Sequence, residues 1–307
     1  MPEAQPSPDA LNSEETDALY EVVRHQITGK TFDAATNAQD QTKLQQMVES
    51  LGDKRGITRL HFAEAIGAIG TSATPYLIEA VTHHPNPVVR RAAAKTLTLI
   101  GDPAAVPTLI HSLLNDPDTV VRTSVTGALA RSGEKAVSAL LEVVGLDETP
   151  EDSKGLATWA LAFIGSAAKI HVMKAIASPI PEVRTAVIST LGTIALETRD
   201  EATIALLIQA LDDTDTDARS EATTALSNIQ YQPAVPKLVE LLHQHSEPET
   251  RKAAALALMK MGNQDALPEL KTAEKNETNP IVLPVIKLAI VQLQKAIVVE
   301  DDWLRSP

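Results

Sequence analysis

From Asp53 to Gln294 the apolar positions of this chain follow one recurring pattern. Its clearest copy is His84 to Arg122, HPNPVVRRAAAKTLTLIGDPAAVPTLIHSLLNDPDTVVR, which begins and ends on the phrase PxxVVR. The copies align on a basic anchor at Arg59, Arg90, Arg122, Lys154, Arg184, Arg219 and Arg251, with Leu283 in an eighth, degenerate copy. Successive intervals are 31, 32, 32, 30, 35, 32 and 32 residues. Seven places after the anchor stand Ile66, Leu97, Leu129, Leu161, Leu191, Leu226, Leu258 and Ile290. Ten places after it the residue is Ile, Leu or Met in every copy but that of Ser132, and positions three and six are mostly Ala or Val. Steps of three and four residues put all of these on one helix face.

The punctuation repeats as well. Eleven places after the anchor come Gly70, Gly101, Gly133, Gly165 and Gly262, where a chain leaving a helix takes a left-handed conformation. Pro75, Pro107, Pro236 and Pro268 each stand fifteen places before an anchor. That suits the first turn of a preceding helix, whose N–H groups lack intrahelical partners. Two helices per unit at a period near 32 residues predict an all-α chain, a right-handed α-solenoid of about eight two-helix repeats with an extra N-terminal helix. The pattern divides the chain into a disordered tail at 1–12, a capping helix and connection at 13–40, the repeat array at 41–295 and an acidic tail at 296–307. The long interval after Arg184 is expected to lengthen the loop around Ala195 to Asp200.

Composition narrows the function. The chain has 307 residues, which without a repeat would suggest two domains. It has no cysteine, which excludes disulfides, thiolate metal sites and a cysteine nucleophile of its own. A net charge of -13 opposes wrapping of nucleic acid. No segment is read as a membrane span and the N-terminus has no signal-peptide core, so the expected location is cytoplasmic.

Residues shared by every copy explain a scaffold; a site is expected where one copy departs from the rest on an exposed face. Positions one, five and nine after the anchor form the stripe opposite the core. In the fourth copy that stripe turns aromatic, with Trp159 and Phe163 four residues apart on one helix face. Either the rings are covered within the array or they await a partner. Arg91, Lys95 and Arg131 approach the pair from one side, and Lys252 and Lys260 lie further along the other. An aromatic face with cations suits a partner carrying carboxylates. His83, His84 and His111, and the pair His243 and His245, lack a third metal ligand at helical spacing. Catalytic residues are not identified, because no nucleophile elbow, phosphate loop or paired-carboxylate arrangement is present.

The repeat phrases DPDTVVRTSVTGALARSG and HPNPVVRRAAAKTLTLIGDPAAVPTLI resemble HEAT-like repeats, and among them those of the phycobilisome (bilin) lyase and phycobilisome-degradation family of cyanobacteria. The resemblance covers residues 53 to 294. It implies an acid six places before each helix-B arginine, the two forming a ladder between units. Asp53, Asp116, Glu148 and Asp213 keep that acid, while His84, Ser178 and His245 replace it. It also implies transient handling of a bilin of the phycocyanobilin type, with no permanently bound cofactor and with phycobiliprotein subunits or another protein as partner. The location implied is the cytoplasm, including the cytoplasmic face of the thylakoid reached through partners. The aromatic-rich opening of the lyase E chain is absent. Two functions stay open: bilin-lyase-like attachment, detachment or turnover, and a non-catalytic adaptor holding a helix or peptide.

Overall fold

In the computed structural model the described residues are 11–304, with side chains described for 11–295. Most of the expected N-terminal tail, and the side chain of Trp303 in the acidic segment, lie outside the described residues. Among the described residues the chain is all α, with short 3-10 turns and no strand. A first helix α1 (Ser13–Thr28) is capped by Asn12, whose side chain accepts from Glu14 and Glu15 while Glu15 answers its backbone N–H. Eight helix pairs follow. They are α2 (Ala38–Glu49) with α3 (Gly56–Ile69), α4 (Thr74–His83) with α5 (Pro87–Ile100), α6 (Val106–Asn115) with α7 (Thr119–Arg131), and α8 (Glu134–Gly145) with α9 (Glu151–Ile164). Then come α10 (Lys169–Ala175) with α11 (Pro181–Thr198), α12 (Glu201–Gln209) with α13 (Thr216–Asn228), α14 (Val235–Gln244) with α15 (Pro248–Met261), and α16 (Leu267–Asn276) with α17 (Val282–Leu304).

The chain divides into two compact units, Met1–Ile164 and Gly165–Pro307. In the first unit each helix pair packs on itself, and α3, α5, α7 and α9 pack successively into a layer. Phe62, Ile66, Leu97, Leu129 and Leu161 lie buried between the layers, as their spacing predicts. α1 closes the N-terminal side of this unit through Tyr20, stacked on His61 at 4.9 Å and edge-on to Phe62 at 5.7 Å. In the second unit α11, α13, α15 and α17 form the corresponding layer over Leu191, Leu226 and Leu258. The predicted glycine stops hold: Gly70, Gly101, Gly133, Gly165 and Gly262 all have positive φ. So do the proline positions, each within the first two residues of α4, α6, α14 and α16.

Two expectations need correction. The extra residues after Ala195 lengthen α11 to Thr198 rather than a loop, because Ala195 replaces the glycine stop and Arg199 takes the left-handed cap instead, at φ 54. A stretch with the length and composition of a membrane span also exists, Glu151–Ala175. It is not one helix: Gly165, at φ 58, opens a 3-10 turn that ends α9. The remaining helices of 14 and 7 residues fall short of the roughly 20 needed to span.

The ladder is built differently from a simple pair six residues apart. Five of the six anchor arginines donate Nη1 to the backbone carbonyl six places before them: Arg59 to Asp53, Arg90 to His84, Arg184 to Ser178, Arg219 to Asp213 and Arg251 to His245, while Arg122 Nη1 turns to the Ser153 hydroxyl. A carbonyl is available whatever the side chain, so His84, Ser178 and His245 serve here as well as an acid does. The carboxylate instead joins the arginine of the preceding repeat. Arg90 grips Asp116 by two bonds of 2.8 and 3.0 Å, Arg184 grips Asp213 at 2.8 Å twice, and Arg251 grips Glu277 at 2.7 and 3.1 Å. Where the aligned residue does not serve, a neighbour does: Asp152 pairs with Arg122 at 2.6 Å, and Glu247 pairs with Arg219. Bidentate pairing in a largely buried setting fixes helix spacing as well as charge.

Two outcomes follow from the ladder. Asp116→Ala leaves Arg90 buried without its carboxylate and is expected to lower stability by about 3 kcal/mol, read from urea unfolding. The second concerns acid. The Arg184 guanidinium holds the Asp213 carboxyl below its ordinary range, and Arg251 does the same for Glu277. Depressed folded values mean stabilisation that is complete above the unfolded values, about 4, and is lost as pH falls through the folded ones. The Asp213→Asn, Glu277→Gln double variant should therefore lose less stability than the parent between pH 5 and pH 2 (~3 pH units).

Candidate functional site

The exposed stripe of the second helices is best followed within the first unit. α9 presents Gly155, Trp159 and Phe163 at the three stripe positions. Trp159 is 51% exposed and Phe163 60% exposed, so the neighbouring helix does not cover them. Their rings stack on one another at 5.3 Å with 28° between planes. Helical side chains lean toward the N-terminus. The Phe163 ring accordingly lies back over Trp159, and the Gly155 turn beyond Trp159 carries no side chain. Leaving on the order of 200 Å² of aromatic surface in water forgoes roughly 5 kcal/mol of burial. Mutual stacking recovers only about 1 kcal/mol of that.

Next to α9, α7 offers Thr123, Gly127 and Arg131 on the same face. The first two are small, and nothing stands within 4 Å of a Cβ built on Gly127. Beyond α7, α5 raises Arg91 and Lys95. The result is a trough floored by Thr123 and Gly127, walled by the aromatic pair on one side and two cations on the other. Arg131 stands at the Phe163 end. Helices packed 8–10 Å apart place the two walls on the order of 20 Å apart at the backbone. Among the described residues no carboxylate comes within 4.0 Å of Arg91, Lys95 or Arg131. Their charge is thus uncommitted, unlike that of the anchor arginines.

Lys252 and Lys260 fall in the second unit. There they line a groove of about 320 Å³ between α13 and α15, with Ser220, Thr224 and Leu256. Lys252 is paired with Glu249 at 2.8 Å, and Lys260 donates to the Asn228 side chain. The five residues Trp159, Phe163, Arg91, Lys95 and Arg131 share one face of the first unit; the two lysines make a separate group. Thr123, Gly127 and Gly155 lie on the same face and in the same stripe, although the sequence singled out only the larger residues around them. What they offer is small size, and in the two glycines no side chain at all, which a search for chemical groups passes over.

The histidines are otherwise employed. His84 Nε2 lies 3.2 Å from Glu49, its Nδ1 accepts from the Asn86 backbone, and its carbonyl accepts from Arg90. His243 meets Glu269 at 3.0 Å. Among the described residues no group of three or more His, Cys, Asp or Glu could hold a metal ion.

The HEAT repeats family matches this chain over residues 42–130, 74–162, 137–227 and 204–289. The bilin biosynthesis protein MpeU of Synechococcus sp. (strain WH8020) is 43% identical over 257 residues, which is 83% of this chain and 86% of that protein. Among solved structures, the complex of CpcE and CpcF of phycocyanin lyase from Nostoc sp. PCC7120 superposes with a TM-score of 0.33 at 20% identity, over 81% of this chain and 94% of that one. Kap121p bound to Nup53p superposes with a TM-score of 0.48 at 12% identity, over 92% of this chain and 42% of that one. Both superpositions are loose.

If the aromatic pair is surface rather than core, its removal is cheap. Trp159→Ala should shift unfolding stability by no more than about 0.5–1 kcal/mol. Leu161→Ala, two residues away and fully buried, should lose about 3–4 kcal/mol in the same urea titration. Equal losses would place the ring in the core.

Proposed function

Because the chain belongs to the HEAT-repeat family, and within it to the relatives of the bilin biosynthesis protein MpeU, we propose that it handles a bilin in the chromophore attachment, detachment or turnover of phycobiliproteins. The observation that carries this reading is the 43% identity sustained over 83% of the chain. A repeat fold by itself would not specify a function. Identity at that level, over 83% of this chain and 86% of that protein, is what ties the reading to bilins rather than to repeats in general.

A bilin is an open-chain tetrapyrrole with flat apolar rings and two propionates. The rings match an exposed aromatic stack, and the propionates match cations with no carboxylate of their own. Trp159 and Phe163 would hold a ring face, with Arg91, Lys95 and Arg131 supplying the charge. Lys252 and Lys260 would meet acidic surface of a phycobiliprotein subunit. The chain has no cysteine, so the thiol that carries a bilin belongs to the partner, and this protein presents or receives the chromophore. The place of action is then the cytoplasm, including the thylakoid face where the partners are.

A titration of phycocyanobilin followed by absorbance tests the reading. The expected result is a shifted, saturable spectrum that weakens at least tenfold in Trp159→Ala, with co-purification of phycobiliprotein subunits from a cyanobacterial lysate. Unchanged bilin spectra, with Trp159→Ala altering only protein capture, would instead identify an adaptor that holds a peptide on the same face.

A further inference from the structure

Several glycines of this chain have an evident steric reason. At Gly67 a Cβ would stand 3.2 Å from the Cβ of Leu99, and at Gly192 it would stand 2.8 Å from that of Ala225. The stop glycines need their positive φ. Gly127 and Gly155 have neither reason. Both lie inside helices, α7 and α9, without positive φ, and a Cβ on either would meet nothing within 4 Å. Glycine is the poorest helix former after proline, because it loses most backbone freedom on folding. Two such residues weaken their helices with no packing return.

Their position supplies the return. Trp159 has Phe163, one turn later, stacked on one side; one turn earlier, at Gly155, no side chain stands and nothing fills the space of a Cβ. Gly127 occupies the position equivalent to Trp159 on the adjoining helix. The two-ring stack therefore includes a half-exposed indole whose neighbours one turn earlier and on the adjoining helix have no side chain. We infer that Gly127 and Gly155 keep open a seat one ring deep, in which a flat conjugated ring bearing carboxylates stacks as the third member on Trp159. The carboxylates of that ligand extend across Thr123 and Gly127 toward Arg91 and Lys95. Arg131, at the Phe163 end, lies away from the seat and contributes least. The inference rests on the bilin reading and assigns specificity within it to two residues that have no side chain.

The test uses the full-length chain with Trp303→Phe, which leaves Trp159 as the sole tryptophan, and phycocyanobilin as the probe. Quenching of indole fluorescence reports stacking, and thermal unfolding is measured on each variant. Gly127→Ala and Gly155→Ala should melt at or above the parent temperature while binding at least tenfold more weakly. Gly127→Leu and Gly155→Leu should abolish quenching. Arg91→Gln with Lys95→Gln should weaken binding more than Arg131→Gln does, and Thr224→Leu in the second unit should leave it unchanged. Parental quenching in both leucine variants would overturn the seat yet leave the bilin reading standing. Absence of binding by the parent chain would overturn both.

Discussion

Most repeats of this fold depend on an arginine whose three nitrogens have different obligations. One nitrogen of Arg90 holds the carbonyl of His84 and so closes the turn that starts its own helix, while the other two grip Asp116 in the next repeat. A lysine offers a single point charge and cannot meet both demands at once. Lys154 accordingly pairs only within its own helix, with Glu151 at 3.7 Å. The same side chain therefore sets both the entry of a helix and its distance from the next, and the small residues at positions three and six allow that distance to be short. Where the grip is incomplete, the consequences are local. Arg122 reaches Asp152 with one nitrogen and leaves Nε buried without a partner. That rung joins α7 to α9, the two helices that hold the trough floor and the aromatic pair.

With spacing delegated to one edge and burial to one face, the stripe at positions one, five and nine is released from structural duty. In most copies it carries what a solvated helix face ordinarily carries. α5, α7 and α9 differ because three consecutive helices present cations, small residues and aromatic rings in that order. No single one of these would identify a site: exposed lysines are common, and glycines on a surface are unremarked. Their adjacency makes a trough whose walls differ in chemistry and whose floor is low.

Much of the architecture was legible because it is periodic. Anchor, core leucine, glycine stop and proline each recur at fixed offsets in between four and eight copies, so individually weak signals add up. What escaped were features that occur once or that depend on a neighbour. Ala195 in place of glycine removed a stop, but the place where α11 would end was decided by Arg199, which adopts a conformation few arginines adopt. The acid six places before an anchor was legible as part of a ladder. Its actual partner was not, because the relevant arginine stands 26 to 29 residues earlier, in another repeat. Whether Trp159 was covered depended on the size of residues on α7, and no pattern within α9 contains that fact.

The distribution of charge makes a final point about the kind of function this surface can have. In a chain of net charge -13, nearly every basic residue of the repeat edge is matched by a carboxylate, and the match is made by geometry rather than by excess. Arg91, Lys95 and Arg131 stand outside that arrangement, on the face that also carries unburied aromatic area. Uncommitted cations in an acidic protein draw anionic groups over a short range only, since the mean field repels them at distances beyond about 10 Å. On physical grounds such a surface suits ligands that combine an anionic edge with enough flat apolar area to be held once they arrive.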